Sequence, residues 1–534
     1  MLGGRATRVV VVALVALATA GAGVAALRVS TEPIPSFAAQ LCGVPREWLE
    51  RTQLGYHQPR SGQVTLLPKQ PIYMSTGSLG WTHSGPWSYL QHIPIVFYGP
   101  GRIPSGIDVD DTVTTADVAP TLGAMLGMDL DADGNVLRDV VDPSIKPPKV
   151  IVTVVWDGGG YNGLETWPDA WPTLKRLMSQ GVSYTHAEVG SSPSVTPAIH
   201  TTLGTGYFPD THGITGVPVR DEQGTVVDSF NDGKSAGFME VPTLAETWDE
   251  MNHNRALIGM VGYEPWHLGM IGRGAEAAGG DKDDAVWVNR GSNHWVTNRS
   301  HYSIPATFRD QSDMPERLQE LDLADGDDDD RWKRVPLDEQ TRIEETPAFI
   351  AHHGQKLVDL IGDGGYGADS VPDLLYTNFK QIDRVAHYYN MTAPEVRDVM
   401  VATDEQLGVI VDELEREVGH GNYVLVVTAD HGMQPDVDDL ASFAIDPNEV
   451  ERDIVTAFGP VVRAVWPTEV FLLDDEMSRR GITVDDVARF LQDYRLRDNT
   501  NDLATKVMGL GRQSGNVRLF EFAAPAAMLE TIEC

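Results

Sequence analysis

Residues 149–160 read KVIVTVVWDGGG, and the fold follows from how that stretch is read. A run of β-branched residues with no polar alternation is the pattern of a strand buried on both faces. It ends on a carboxylate, Asp157, followed by Gly158, Gly159 and Gly160. Two stretches further along have the same form. Asp373–Phe379 (DLLYTNF) is followed shortly by Asp383, and Tyr423–Ala429 (YVLVVTA) by Asp430. Helical patterns separate them, over Trp171–Gly181 and Ala393–Gly419. Strands alternating with helices predict an α/β fold, a doubly wound and mostly parallel sheet with helices on both faces. Ligands of such sheets bind beyond the carboxyl ends of the strands, where Asp157 and Asp430 lie.

The chain has 534 residues and a formal net charge of −36, from 41 basic and 77 acidic side chains. That field repels polyanions and excludes a nucleic-acid-coating role. Small phosphate esters stay compatible with it, because bound divalent cations invert the potential locally. At the start, Arg5 and Arg8 precede an uncharged run, Val9–Leu27, with small residues at Ala18-Thr19-Ala20. Residues 1–29 read either as a signal peptide or as a single-span membrane anchor, and both readings place the rest outside the cytoplasm.

Two stretches read as insertions. Residues 266–345 are rich in Trp, Asn, Arg and Asp, and are expected to carry the substrate-discriminating positions; Asp327–Asp330 within them reads as a solvated loop. Residues 434–515 read as a small α+β subdomain, with a capped helix after Thr483.

The chemistry is carried by short motifs. Thr196 precedes Pro197 and an apolar helical run. Thr is a good N-cap, Pro is favoured at the first helical position, and a helix N-terminus welcomes a phosphoryl group. Taken alone, Thr196 reads as a capping residue. Asp383 and His387 are four apart, on one face of a helix. Asp430-His431-Gly432 places two metal-ligating types in an irregular turn. This mixture of oxygen and nitrogen donors suits zinc, and manganese or magnesium less well. His200 is expected to pack within its helix, and His92 and His212 to be structural.

With Thr205-Gly206 and His212-Gly213-Ile214, these segments resemble the type I phosphodiesterase/nucleotide pyrophosphatases of the alkaline phosphatase superfamily. The resemblance implies hydrolysis of a small phosphate ester, whether a phosphodiester, a nucleotide pyrophosphate or a monoester, through a phospho-threonine on Thr196. It implies two divalent ions, usually zinc. One would be held by Asp157, Thr196, Asp430 and His431, the other by Asp383, His387 and one more histidine. In the family that histidine lies downstream, yet none follows His431 here. Instead Trp81–Gly101 (WTHSGPWSYLQHIPIVFYGPG) resembles the family's C-terminal Thr-His-Gly segment. Arg60–Pro68 resembles the strand before it, Thr112–Gly127 the closing helix, and Asp133–Leu137 the tail. Residues 39–148 therefore read as the end of the catalytic domain, placed ahead of the remainder at 149–534. His83 is the missing ligand in this circularly permuted arrangement. Cys42 and Cys534 flank the resulting cut, so a disulfide between them is expected, with two unrelated thiols as the alternative. Val217 stands where the family has a phosphate-orienting asparagine, and Asn378 or Lys380 is expected to substitute. The competing readings are a phosphomonoesterase, sulfatase or phosphotransferase of the same superfamily, and a catalytically inactive metal-binding protein.

Overall fold

The computed structural model describes residues 34–75, 80–230, 234–337, 342–436, 443–499 and 514–534. The expectation for residues 1–29 lies outside them. Among the described residues no helix is long and apolar enough to cross a membrane.

Nine strands form the main sheet: β1 (Ile95–Tyr98), β2 (Ile107–Thr114), β3 (Val150–Trp156), β4 (Val182–Glu188), β5 (Ile258–Val261), β6 (Asp284–Asn289), β7 (His294–Val296), β8 (Asp373–Phe379) and β9 (Tyr423–Thr428). Their spatial order is β7-β6-β5-β8-β3-β9-β1-β4-β2. Neighbours pair in parallel except at β1 and β7, which run antiparallel to the strands beside them. The sheet is thus mostly parallel, and its central strands are the three apolar runs.

Register explains why their carboxylates converge. Val150 of β3 lies opposite Asp373 of β8 and Tyr423 of β9. All three strands therefore start together and finish together, with Phe379 opposite Trp156 and Thr428 opposite Val155. Asp157, Asp383 and Asp430 follow these ends at one edge of the sheet. Within β3 the period-2 pleat divides the side chains. Val150, Val152, Val154 and Trp156 enter the core on one face, Ile151 and Val155 that on the other. Each fully buried aliphatic side chain stabilises the fold by roughly 1.5–3 kcal/mol, which is why these strands are mostly apolar, with Thr153, Asn378 and Thr428 among their few polar positions.

Residues 39–140 share these cores. β1 lies between β9 and β4, so the sheet is continuous only through this segment. A second, four-stranded sheet repeats the pattern: Val64–Pro68 pairs with Glu469–Leu472 on one side and with Phe520–Pro525 on the other. Cys42 and Cys534 are joined by a disulfide, with Cα atoms 5.5 Å apart. The 266–345 stretch adds β6 and β7 to the main sheet, and Asp327–Asp330 are exposed. The 434–515 stretch contributes Val462–Trp466 and Glu469–Leu472 to the small sheet, with helices Pro447–Phe458, Asp474–Arg480 and Val484–Gln492 beside them.

Candidate active site

Two helices bring the site together: α1 (Thr196–Thr205) and α2 (Gln381–Tyr389). Gly158 turns the chain out of β3 with φ of +74°, and a Cβ there would lie 3.0 Å from the Asp383 Cα. Only glycine tolerates both the conformation and the approach of α2. Its amide donates to Asp430 Oδ1 at 3.0 Å, and the Asp383 amide donates to the Asp157 carbonyl at 3.1 Å. The backbone thus locks the three carboxylates to one another.

Thr196 departs from the capping role. It is the first helical residue; Val195 precedes it as the N-cap, and no side chain caps this helix. The Thr196 Oγ1 accepts a hydrogen bond from Lys380 Nζ at 2.8 Å. The preceding loop is clasped by His83, whose Nδ1 donates to the Ser194 carbonyl at 2.7 Å while Ser194 Oγ donates to the His83 carbonyl at 2.5 Å.

Three histidines share one arrangement. His83, His387 and His431 each direct Nδ1 at a backbone carbonyl, of Ser194, Trp81 and Gly432 respectively. In the neutral ring this fixes the tautomer that leaves Nε2 with a free lone pair. Those Nε2 atoms lie 3.3, 3.1 and 4.0 Å from Asp383 Oδ1. His83, 6% exposed, stacks on His431 with ring centroids 3.4 Å apart. Although distant in sequence, His83 therefore lies beside Asp383 and His387.

The electrostatics are those of a site short of cations. Asp383 Oδ1, Asp430 Oδ2 and His431 Nε2 are buried without a hydrogen-bond partner. Burial, then the Asp157 charge, push Asp430 up to about 7. Burial lowers the affinity of His431 for a proton, yet Asp430 outweighs it and raises the imidazole to about 9. Burial and the neighbouring His431 bring His83 down to about 3. Burial raises Asp383, but His387 and Lys380 hold it well below the usual carboxylate range. Buried, unpaired oxygens and nitrogens of this kind are costly unless a cation meets them. Donor atoms of His83, Asp383 and His387 lie within 4.8 Å of one another and fit a divalent metal. Donor atoms of Asp157, Asp383 and His431 also lie within 4.8 Å of one another, but in the other expected set Asp157 Oδ1 and Thr196 Oγ1 are engaged by the Lys380 ammonium, while Asp430 and His431 are not.

The two expected phosphate contacts separate. Lys380 reaches the pocket; Asn378 does not line it. Asn378 is fully buried and donates to Asp157 Oδ2 at 3.1 Å and to His200 Nε2 at 2.9 Å, positioning the carboxylate from beneath. His200 in turn donates from Nδ1 to the Thr196 carbonyl at 2.8 Å, within its helix. His212 pairs with Thr202 Oγ1, and His92 with the Thr185 carbonyl.

The pocket above Thr196 has a volume of about 230 Å³. Its floor is His83, Thr196, Lys380, Asp383 and His387, and its apolar wall includes Val217, Trp266, Trp466 and Phe471. Sequence reasoning missed Arg384. It lines the pocket one turn beyond Lys380, held by Glu345 Oε1 at 3.2 Å and Tyr388 Oη at 2.9 Å. Its place inside the Asp383-x-x-x-His387 motif was the available signal. Trp466 and Phe471 carried none, since they arrive from the small subdomain. Among the described residues of the 266–345 stretch, Trp266 alone lines this pocket.

The family model described as type I phosphodiesterase / nucleotide pyrophosphatase matches residues 151–506. Alkaline phosphatase PafA of Elizabethkingia meningoseptica is 22% identical over 343 residues, covering 54% of this chain and 60% of that protein. Alkaline phosphatase PhoV of Synechococcus elongatus is 22% identical over 344 residues, covering 55% and 61%. The match thus spans about three-fifths of these relatives' length. The crystal structure of wild-type PafA superposes with a TM-score of 0.52 at 19% identity, over 65% of this chain and 76% of that one, which shows a shared fold.

Proposed function

This chain belongs to the type I phosphodiesterase / nucleotide pyrophosphatase family, and from that premise we propose that it hydrolyses small phosphate esters outside the cytoplasm, with Thr196 as the nucleophile. The observation that carries this reading is the placement of Thr196. Its hydroxyl stands at a helix N-terminus, accepts from the Lys380 ammonium at 2.8 Å, and opens into the pocket beside His83, Asp383 and His387.

Each group has a role in the reaction. The ammonium hydrogen bond and the helix N-terminus favour the alkoxide form of Thr196. In-line attack forms the Thr196 Oγ1–phosphorus bond as the bond to the leaving alcohol oxygen breaks, giving a phospho-threonine. The proton lost from Thr196 leaves on the alcohol; water then attacks phosphorus, the Thr196 Oγ1–phosphorus bond breaks, and a proton from the water returns to Oγ1 as phosphate is released. Arg384 supplies a second fixed positive charge for the non-bridging oxygens. Trp266, Trp466 and Phe471 receive the organic part of the ester. A divalent ion held by His83, Asp383 and His387, zinc by donor chemistry and manganese or magnesium less well, would supply Lewis acidity at the phosphoryl and leaving oxygens.

Two further parts of the reading rest on position. Residues 39–148 are the end of the catalytic domain moved ahead of its beginning; this is supported by His83 in the site and by β1 inside the main sheet. The location outside the cytoplasm is supported by the basic and apolar start of the sequence and by the Cys42–Cys534 disulfide, a bond that persists in oxidising compartments. Within the hydrolase reading, two pocket cations, Lys380 and Arg384, favour a dianionic monoester over a diester, and the names of PafA and PhoV agree with that.

Nitrophenyl phosphate and bis-nitrophenyl phosphate, assayed with Zn2+, Mn2+ or Mg2+, separate these ester classes. Acid quenching during turnover traps phosphate on the peptide containing Thr196, and Thr196→Ala abolishes both turnover and adduct while keeping bound metal. Full turnover by that variant overturns the proposal.

A further inference from the structure

The second cation place in this site is filled by the protein itself. Lys380 is 3% exposed, and its Nζ lies 2.8 Å from Asp157 Oδ1, 2.7 Å from Asp383 Oδ2 and 2.8 Å from Thr196 Oγ1. An ammonium has three N–H donors and no acceptor. Here two of them go to Asp157 Oδ1 and Thr196 Oγ1, and Asp383 Oδ2, from a third segment of the chain, stands against the same nitrogen as an ion pair. Two of these oxygens belong to Asp157 and Thr196, which the family resemblance assigns to one metal ion; the third bridges toward the set assigned to the other.

We propose that the Lys380 ammonium is a built-in cation standing in for the second metal, so that the loaded protein holds one divalent ion, on His83, Asp383 and His387. The inference rests on the active site proposed above and departs from the expected pair of ions.

The geometry gives two reasons. The first is occupancy. A divalent ion bound to Asp157 and Thr196 would stand at the oxygens that Lys380 Nζ already contacts at 2.8 Å, and two cations so placed repel each other. The second is charge. Asp157, Asp383 and Asp430 are all at most 1% exposed. One divalent ion together with the ammonium neutralises these carboxylates, whereas a second ion buries an excess of positive charge before any substrate arrives. The first donor set carries no such conflict, because Asp383 Oδ1 and the Nε2 atoms of His83 and His387 face one another without a hydrogen bond.

Lys380 sits at the residue preceding the first turn of α2, and Asp383 and His387 lie on that helix. The built-in cation and two ligands of the remaining ion are thus carried by one rigid element. The ammonium reaches the nucleophile without a diffusible partner, so scarcity of metal would empty one place and leave the other filled.

Metal counting tests this without reference to activity. The full-length protein is stripped with a chelator, dialysed against excess Zn2+, desalted and measured by inductively coupled plasma mass spectrometry, with calorimetric titration of Zn2+ alone as a second readout. The wild type is expected to retain about one ion per chain, and Lys380→Ser, which removes the ammonium and opens its space, about two. Two ions in the wild type, or none, overturn the proposal, as does a folded Lys380→Ser that stays at one. If that variant fails to fold, the wild-type count decides alone. Failure of the hydrolase reading is distinguishable: a protein that binds one ion and cleaves no ester refutes the proposed function and leaves the metal count standing.

Discussion

Replacing both cysteines, Cys42→Ser with Cys534→Ser, isolates what the disulfide does for the fold. The bridge spans 492 residues. For a loop of that length, chain entropy gives a ceiling of about 6 kcal/mol at 25 °C, while measured bridges stop at about 5. The folded chain holds the same ends by other means: Gln53 Nε2 donates to the carbonyls of Leu529 and Ile532 at 2.9 and 3.2 Å. Phe37 and Leu41 are buried in the same core as Phe520 and Phe522. The native state therefore keeps its geometry when the bond is removed, and the effect falls on the unfolded chain, which gains freedom and exposes more surface. We expect unfolding to cost about 3–5 kcal/mol less, a urea midpoint about 1 M lower, and a steeper denaturant slope. Turnover without denaturant should stay within about twofold, since removing the bond leaves the native geometry in place. The assay is equilibrium unfolding followed by tryptophan fluorescence, with non-reducing peptide mapping to establish the bond in the wild type. A mapped disulfide whose loss leaves the midpoint unchanged refutes the entropic reasoning, and two free thiols in protein isolated under oxidising conditions refute the staple itself.

Three further outcomes are expected. His83→Ala removes one of three donors and should weaken Zn2+ binding at least ~100-fold, beyond what loss of an outer partner costs; competition with a chromophoric chelator measures it, and unchanged affinity takes His83 out of the site. Asn378→Ala withdraws the bonds that hold Asp157 and His200 without touching the pocket wall, so kcat should fall about 10- to 100-fold with KM steady; a rise in KM alone would return Asn378 to substrate contact. Asp249 is 5% exposed, and burial with repulsion from Asp281 lifts it from 3.8 to about 7. The folded chain then keeps a proton that the unfolded chain releases near pH 4. The penalty is absent below that pH, grows up to about 7 and is complete above it, so Asp249→Asn should stabilise by about 1–3 kcal/mol at pH 8 and not at pH 4. Equal gains at both pH values by urea unfolding would sink that reasoning.

The parts of this protein that were legible in its sequence are those whose physical cost is local. Val150, Val152 and Val154 face one core and Ile151 and Val155 the other, so both faces demand apolar side chains and the strand announces itself without reference to any partner. Asp157 and Asp430 announce the site for the same reason: each is a carboxylate at the end of such a strand, with glycine directly after Asp157 and one residue beyond Asp430, and an apolar core does not call for a charge there. The N-terminal order of His83 was legible only by resemblance, since nothing local says that Trp81–Gly101 must return to α2. Thr196 shows where local reasoning misleads. Threonine before proline suggests a cap, but the cap position belongs to Val195, and the hydroxyl is turned to a lysine far along the chain. Lys380 shows the same limit from the other side. Its spacing from Asp383 was visible, and a phosphate contact was the natural inference. The structure keeps it in the pocket and also sets its nitrogen against oxygens from β3's end, α1 and α2, three elements whose meeting depends on the whole sheet register. Trp466 and Phe471 reach the pocket from a subdomain whose own sequence pattern concerns its own core. A sequence reports what each side chain costs to bury where it stands; which charge or ring meets it there is set by the topology, and in this site the topology brings a lysine to the place where a metal ion was expected.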